Sequence, residues 1–149
     1  GDLRCGGPDT GMWGRLPDVH DGVGDQRGHM SDTFALLQVY AALPRLDCQR
    51  KCADFCGPIP VTAVELDALR RVGAPPQSEL FSGRVHLLVH AELSCQFLAS
   101  GACSVYEARP LICRLWGLTP RLRCPHGCEP SRWLSDEECG ELIERVVKL

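Results

Sequence analysis

The sequence predicts a small α+β domain, helix-rich, with one β-hairpin and irregular metal-stapled loops. Three observations carry this. Two capping boxes, Thr62-x-x-Glu65 and Ser135-x-x-Glu138, each open an apolar-periodic run. A glycine, Gly101, sits between two short runs suited to a hairpin. Ten cysteines in 149 residues exceed what a core of this length needs to hold itself together.

The elements follow in order. Residues 1–30 hold eight of the 15 glycines, two prolines and five aspartates, with no helical or strand periodicity. Such a segment cannot bury enough apolar surface to offset chain entropy. It reads as a disordered tail, and Gly28-His29-Met30 resembles a vector junction followed by a natural start. Cys5, Trp13, His20 and His29 are therefore set aside, and the domain proper is residues 31–149. Ser31 or Asp32 caps a first helix with Phe34, Leu37 and Tyr40 on one side and Leu36 and Leu43 flanking it. Pro44 ends it. Residues 48–56 have helical spacing and stop at Gly57-Pro58. The Thr62 capping box leads Leu66, Leu69 and Arg70, with Gly73 as the stop. Residues 73–83 read as a loop, and residues 84–90 as an apolar strand or helix. Residues 94–106 form the hairpin, expected around a three-residue turn Ala99-Ser100-Gly101 with an αL bulge. Pro110 opens a short helix to Trp116 or Gly117. Residues 118–134 are irregular, and the Ser135 capping box opens a last helix with Leu142, Ile143, Val146 and Val147.

Composition excludes several functions. With 16 Lys and Arg against 19 Asp and Glu, the net charge is −3, which argues against binding nucleic acid through phosphate contacts. The longest apolar run, residues 39–43, is far too short to cross a membrane. No basic start followed by an apolar run marks a secretory signal, so a cytoplasmic location is expected. There cysteines stay reduced and read as thiolate ligands. A disulfide scaffold whose signal has been trimmed away is the competing reading.

Eight cysteines are candidate metal ligands: Cys48, Cys52, Cys56, Cys95, Cys103, Cys113, Cys124 and Cys128. Neighbours four apart on a helix share a face and reach one ion. Cys48 and Cys56 lie about 12 Å apart along an unbroken helix. Either the helix breaks, or the three cysteines serve more than one metal. In the expected hairpin Cys103 stands opposite residue 97, which places Cys95 and Cys103 on one face. A two-residue turn would place them on opposite faces. Cys113 follows a helix start and lies between Arg109 and Arg114, all of which lower a thiol pKa. Cys124-Pro-His-Gly-Cys128 is a compact loop of the kind that aims backbone amides at sulfur, with His126 read as a loop residue. Cys139 has no cysteine partner at helical spacing and reads as an ordinary helix residue.

The run Cys48-Gln-Arg-Lys-Cys52-Ala-Asp-Phe-Cys56-Gly-Pro-Ile, followed by Thr62-x-x-Glu65, begins a recognisable pattern. It continues as Cys95-x-Phe-Leu-x-x-Gly-x-Cys103-x-Val-Tyr106-Glu-x-Arg109-Pro110-x-x-Cys113-Arg114. Over residues 46–130 this resembles the YkgJ-type cysteine-cluster family, the zinc- or iron-chelating CxxCxxCC domain. The family is described by eight cysteines, and the eight named above match that number. Its first motif usually ends in a Cys-Cys pair, where this chain has Phe55-Cys56. Some members are linked to flagellin lysine methylation. This chain has no glycine-rich nucleotide loop after a strand, so methyl transfer is not carried over.

The remaining constellations are weaker. His86-x3-His90 has the spacing of a two-histidine metal site but lacks the glutamate of a metalloprotease. Arg109, Arg114, Arg121, Arg123 and Arg132 face only Glu129 between residues 109 and 132, an excess that suits nucleic acid or another anion but is better read as offsetting thiolate-metal charge. No Ser-His-Asp set or carboxylate pair gives a catalytic centre. The expected function is metal binding, with zinc or iron as the cofactor and two ions per chain. An iron or iron–sulfur redox enzyme, or an accessory of a methylation-type protein-modifying system, is the alternative. A protein partner is unassigned.

Overall fold

A computed structural model describes residues 26–73, 77–88 and 93–149. Among these residues, four helices and two small antiparallel sheets make up an α+β domain. Helix α1 spans Gln26–Ala41. Its first turn thus comes from the segment read as tail; the rest of that segment lies outside the described residues. The buried face of α1 also differs from expectation. Leu36 and Val39 are buried, with Tyr40 and Leu43 packed beside them, whereas Phe34 and Leu37 are 63% and 57% exposed. Both stripes have helical spacing, and the choice between them is made by what lies opposite. Here that is Leu111, Leu115, Leu118, Leu134 and Val146, which join Leu36, Val39 and Val64 in one cluster.

Strand β1 (Ile59–Thr62) runs directly into α2 (Ala63–Arg71). The Thr62 capping box forms as predicted. The Glu65 carboxylate accepts from the Thr62 N–H at 2.8 Å and from its hydroxyl at 3.1 Å. Strands β2 (Glu79–Ser82) and β3 (Val85–Leu88) complete a sheet in the order β1-β3-β2, so part of the predicted 73–83 loop is strand. Pro60, which cannot donate to a ladder, sits in the edge strand β1. Val61 and Leu88 from this sheet join Leu66, Leu69, Phe97 and Val105 in a second cluster. Helix α2 therefore serves both clusters, Val64 in one and Leu66 and Leu69 in the other.

Glu65 ties these layers together. It is 4% exposed. Besides Thr62, its carboxylate accepts from the Tyr40 hydroxyl of α1 at 3.0 Å and from the Leu111 N–H at 2.7 Å. Leu111 is the first residue of α3 (Leu111–Leu115). One buried side chain thus joins α1, the β1–α2 corner and the start of α3. Burial, and then the charge of Glu65, hold the Tyr40 hydroxyl well above its usual pKa.

The second sheet is the hairpin β4 (Leu98–Ala99) and β5 (Ala102–Cys103). Its register pairs Leu98 with Cys103 and Ala99 with Ala102. Only Ser100 and Gly101 remain in the turn, at φ 50° and 76°. Two left-handed residues make a type I′ turn, whose twist suits a hairpin. This corrects the predicted three-residue loop, because Ser100 takes the left-handed conformation that the prediction reserved for glycine.

Residues 45–46 run antiparallel to 130–131, with a bridge between Leu46 and Pro130. Ser131 N–H donates to the Arg45 carbonyl at 2.8 Å, and Arg45 N–H to the Ser131 hydroxyl at 3.1 Å. Gly117, at φ 86°, lies beneath this strap. A Cβ there would sit 2.7 Å from the Leu46 side chain. Helix α4 (Asp136–Val147) then starts at the predicted box, Ser135 and Glu138 exchanging bonds of 2.8 and 3.1 Å.

Candidate metal centre

All nine described cysteines are free thiols. The first three do not lie on a helix. Arg50 adopts φ 56°, and only Ala53–Phe55 form a single 3₁₀ turn between Cys52 and Cys56. The helix expected over 48–56 is thus absent, and its spacing belongs to a folded loop instead. The Arg50 N–H donates to Cys48 Sγ at 3.3 Å. The amide two residues on is thus aimed at the sulfur.

Two other cysteines have the same local geometry. The amides of Phe97 and Leu98 face Cys95. Those of His126 and Cys128 face Cys124. Burial works against ionisation of Cys124, yet these amides and the Cys128 side chain bring its thiol below the usual value. His126 itself is exposed in the loop.

Cys95 begins a turn closed by Leu98 N–H on its carbonyl at 3.1 Å. The strand alternation therefore ends before it reaches Cys95. This is why the two-residue hairpin turn does not drive Cys95 and Cys103 apart, as the face argument required. Both border a cavity of about 330 Å³, together with Cys52, Cys56 and Cys113. Phe55, Ile112 and Trp116 supply part of its apolar wall. Phe55, which immediately precedes Cys56, lies 6.0 Å between ring centroids from Trp116. The Trp116 indole N–H is buried without a hydrogen-bond partner among the described residues. Neither ring had a motif to mark it in the sequence.

Cys113 corrects a second expectation. Its thiol is not lowered but pushed up to about 12, first by burial and then by Cys95. Arg109 opposes this without reversing it. Burial likewise leads the upward shifts of Cys52 and Cys56, again with Arg109 opposing. Of the five arginines predicted to balance thiolate charge, Arg109 has that role by position. Its guanidinium lies 3.5 Å from the Tyr106 ring centroid, with Arg50 at 3.9 Å from the same ring. Tyr106 in turn hydrogen-bonds Cys48 through its side chain. Arg114 braces the segment instead, donating to the carbonyls of Arg109 at 2.7 Å and Glu107 at 2.6 Å. Arg121 and Arg132 pair with Asp136 and Glu138, and Arg123 stacks on Trp133.

Cys139 packs against the first apolar cluster from α4. His86 lies on strand β3 rather than a helix, and His90 is outside the described residues. Among the described residues, no three His, Cys, Asp or Glu side chains stand as a ready ligand set. The sulfurs gather without closing on one point.

Fold and site together define a small α+β cysteine-cluster domain. A family model described as "CxxCxxCC: Putative zinc- or iron-chelating domain" matches residues 47–141. The chain belongs to that family, and metal chelation is the activity the family description gives. Among curated proteins and among solved structures, nothing matches the chain. No helix among the described residues is long and apolar enough to cross a membrane.

Proposed function

We propose that this domain chelates zinc or iron through the thiolates of Cys48, Cys52, Cys56, Cys95, Cys103, Cys113, Cys124 and Cys128, with two ions per chain. The observation that carries the reading is the convergence of sulfurs from distant segments around Arg109 and Tyr106, with backbone amides aimed at three of them. In chemistry the donor set fits a thiophilic ion. In spacing it requires the side chains to rotate inward, because four thiolates on one ion stand roughly 3.8 Å apart with bonds of about 2.3 Å. Bound metal would supply folding energy, drawing separate segments together. Free thiolates suit a reducing compartment such as the cytoplasm.

The cavity of about 330 Å³ beside five of the cysteines favours a second reading. It offers more room than one tetrahedral zinc needs, which suits an iron–sulfur centre and a redox or accessory role in protein modification. Anaerobic purification from medium supplemented with both metals tests these readings by elemental analysis and a visible spectrum. Stoichiometric zinc with no visible absorption supports the first reading, and iron with sulfide and thiolate-to-iron absorption the second. Metal-free protein that takes up neither ion on reconstitution would refute both.

A further inference from the structure

The eight cysteines separate by the elements that carry them. Cys95 N–H donates to the Cys56 carbonyl at 3.1 Å, which sets these two residues side by side. The hairpin that starts at Leu98 brings Cys103 back to the same wall, and α3 adds Cys113. These four border one cavity. The strap of residues 45–46 against 130–131 organises a different place. It brings Cys48 beside Cys128, and the Gln49 amide donates to the Cys128 side chain. The loop from Cys124 is closed by Gly127 N–H on the Cys124 carbonyl at 3.2 Å, and the Cys124 and Cys128 side chains hydrogen-bond. Cys48, Cys124 and Cys128 take no part in the cavity wall.

Cys52 stands at the edge between the two places. It borders the cavity and neighbours the Cys56 thiol there, while the thiols that act most on it are Cys48, first, and Cys124. Arg50, Tyr106 and Arg109 form a stack at the same boundary. Tyr106, the ring both guanidiniums share, hydrogen-bonds Cys48, while Arg109 acts on Cys52, Cys56 and Cys113. A cation between two thiolate groups stabilises each of them and screens one from the other.

We infer that the domain holds two separate four-thiolate sites, one from Cys56, Cys95, Cys103 and Cys113, the other from Cys48, Cys52, Cys124 and Cys128. This rests on the chelation reading above. The two sites are nested in the chain: the second takes its ligands from before and after the first.

Native mass spectrometry of the full chain, reconstituted with Zn²⁺, counts the ions. Co²⁺ reconstitution gives an independent readout through its thiolate charge-transfer absorption. Two ions are expected in the wild type. Cys113→Ser and Cys124→Ser should each lose one ion and keep the other. The double variant Cys95→Ser/Cys113→Ser should still keep one, whereas Cys113→Ser/Cys124→Ser should keep none. Should Cys113→Ser fail to fold, Cys103→Ser replaces it in every comparison. Loss of both ions from the Cys95/Cys113 double variant, or retention of one by the Cys113/Cys124 double variant, would overturn the partition while leaving chelation intact. A wild-type chain that binds no Zn²⁺ or Co²⁺ would overturn the partition and the chelation reading together.

Discussion

Replacing Glu65 with alanine removes an acceptor on which four donors converge: the Tyr40 and Thr62 hydroxyls and the Thr62 and Leu111 amides. Both amide bonds are buried. An unsatisfied buried donor costs roughly 1–3 kcal/mol, and two amides lose their partner at once. Water entering the space recovers part of this loss. We expect Glu65→Ala to cost about 4 kcal/mol, of the order found when a buried charged network is broken. Glu65→Gln keeps one carbonyl oxygen for Leu111 and Tyr40 but turns an amide donor toward Thr62. It should cost about 2 kcal/mol. Urea unfolding followed by far-UV circular dichroism measures both, with and without metal. A Glu65→Ala variant within about 0.5 kcal/mol of wild type would refute the reasoning. So would equal costs for the two variants, which would make packing rather than hydrogen bonding the source.

Two further outcomes follow from the same structure. Leu36→Ala should cost about 3 kcal/mol, since it empties a buried site, whereas Leu37→Gln should fall within about 0.5 kcal/mol of wild type; thermal melts of both test which face of α1 is buried. The Ser135 amide, and then Arg132, hold Glu138 below the usual carboxylate pKa. A lowered folded pKa gives stability that is present above the unfolded value and lost as pH falls through the folded one. The difference in urea midpoint between wild type and Glu138→Gln should therefore shrink between neutral pH and about pH 3; a difference that stays constant would refute this.

What could be read from the sequence was what neighbouring residues decide among themselves. The boxes at Thr62 and Ser135 are three-residue affairs and appear as expected. Strand β1 pairs with residues 85–88, far along the chain, and no signal within residues 59–62 announces that partner. The face of α1 was ambiguous because two stripes share helical spacing, and residues from α3, α4 and the loop between them decided it. Cysteines every fourth residue from Cys48 to Cys56 imitate a helix, yet the left-handed Arg50 makes them a loop. For the candidate site, the cysteines and Arg109 were visible as residue types. The pKa of Cys113 was not, because burial is a tertiary property and outweighs the local helix start. The part Phe55 and Trp116 play has no local signal for the same reason: it is the shape of a wall.

The strap between Arg45 and Ser131 joins residues 86 apart in sequence. Closing a loop of that length costs about 4 kcal/mol of chain entropy beyond the fixed cost of closure. Contacts with such separation are repaid only once the intervening chain has condensed. The strap is therefore expected to form late in folding, after α2, the sheet and α3 have assembled between its ends. During synthesis, Ser131 leaves the ribosome long after Arg45 has emerged. Cys48 waits through that interval for Cys128, so a newly made chain passes through a stage in which the earlier cysteines stand without their later neighbours.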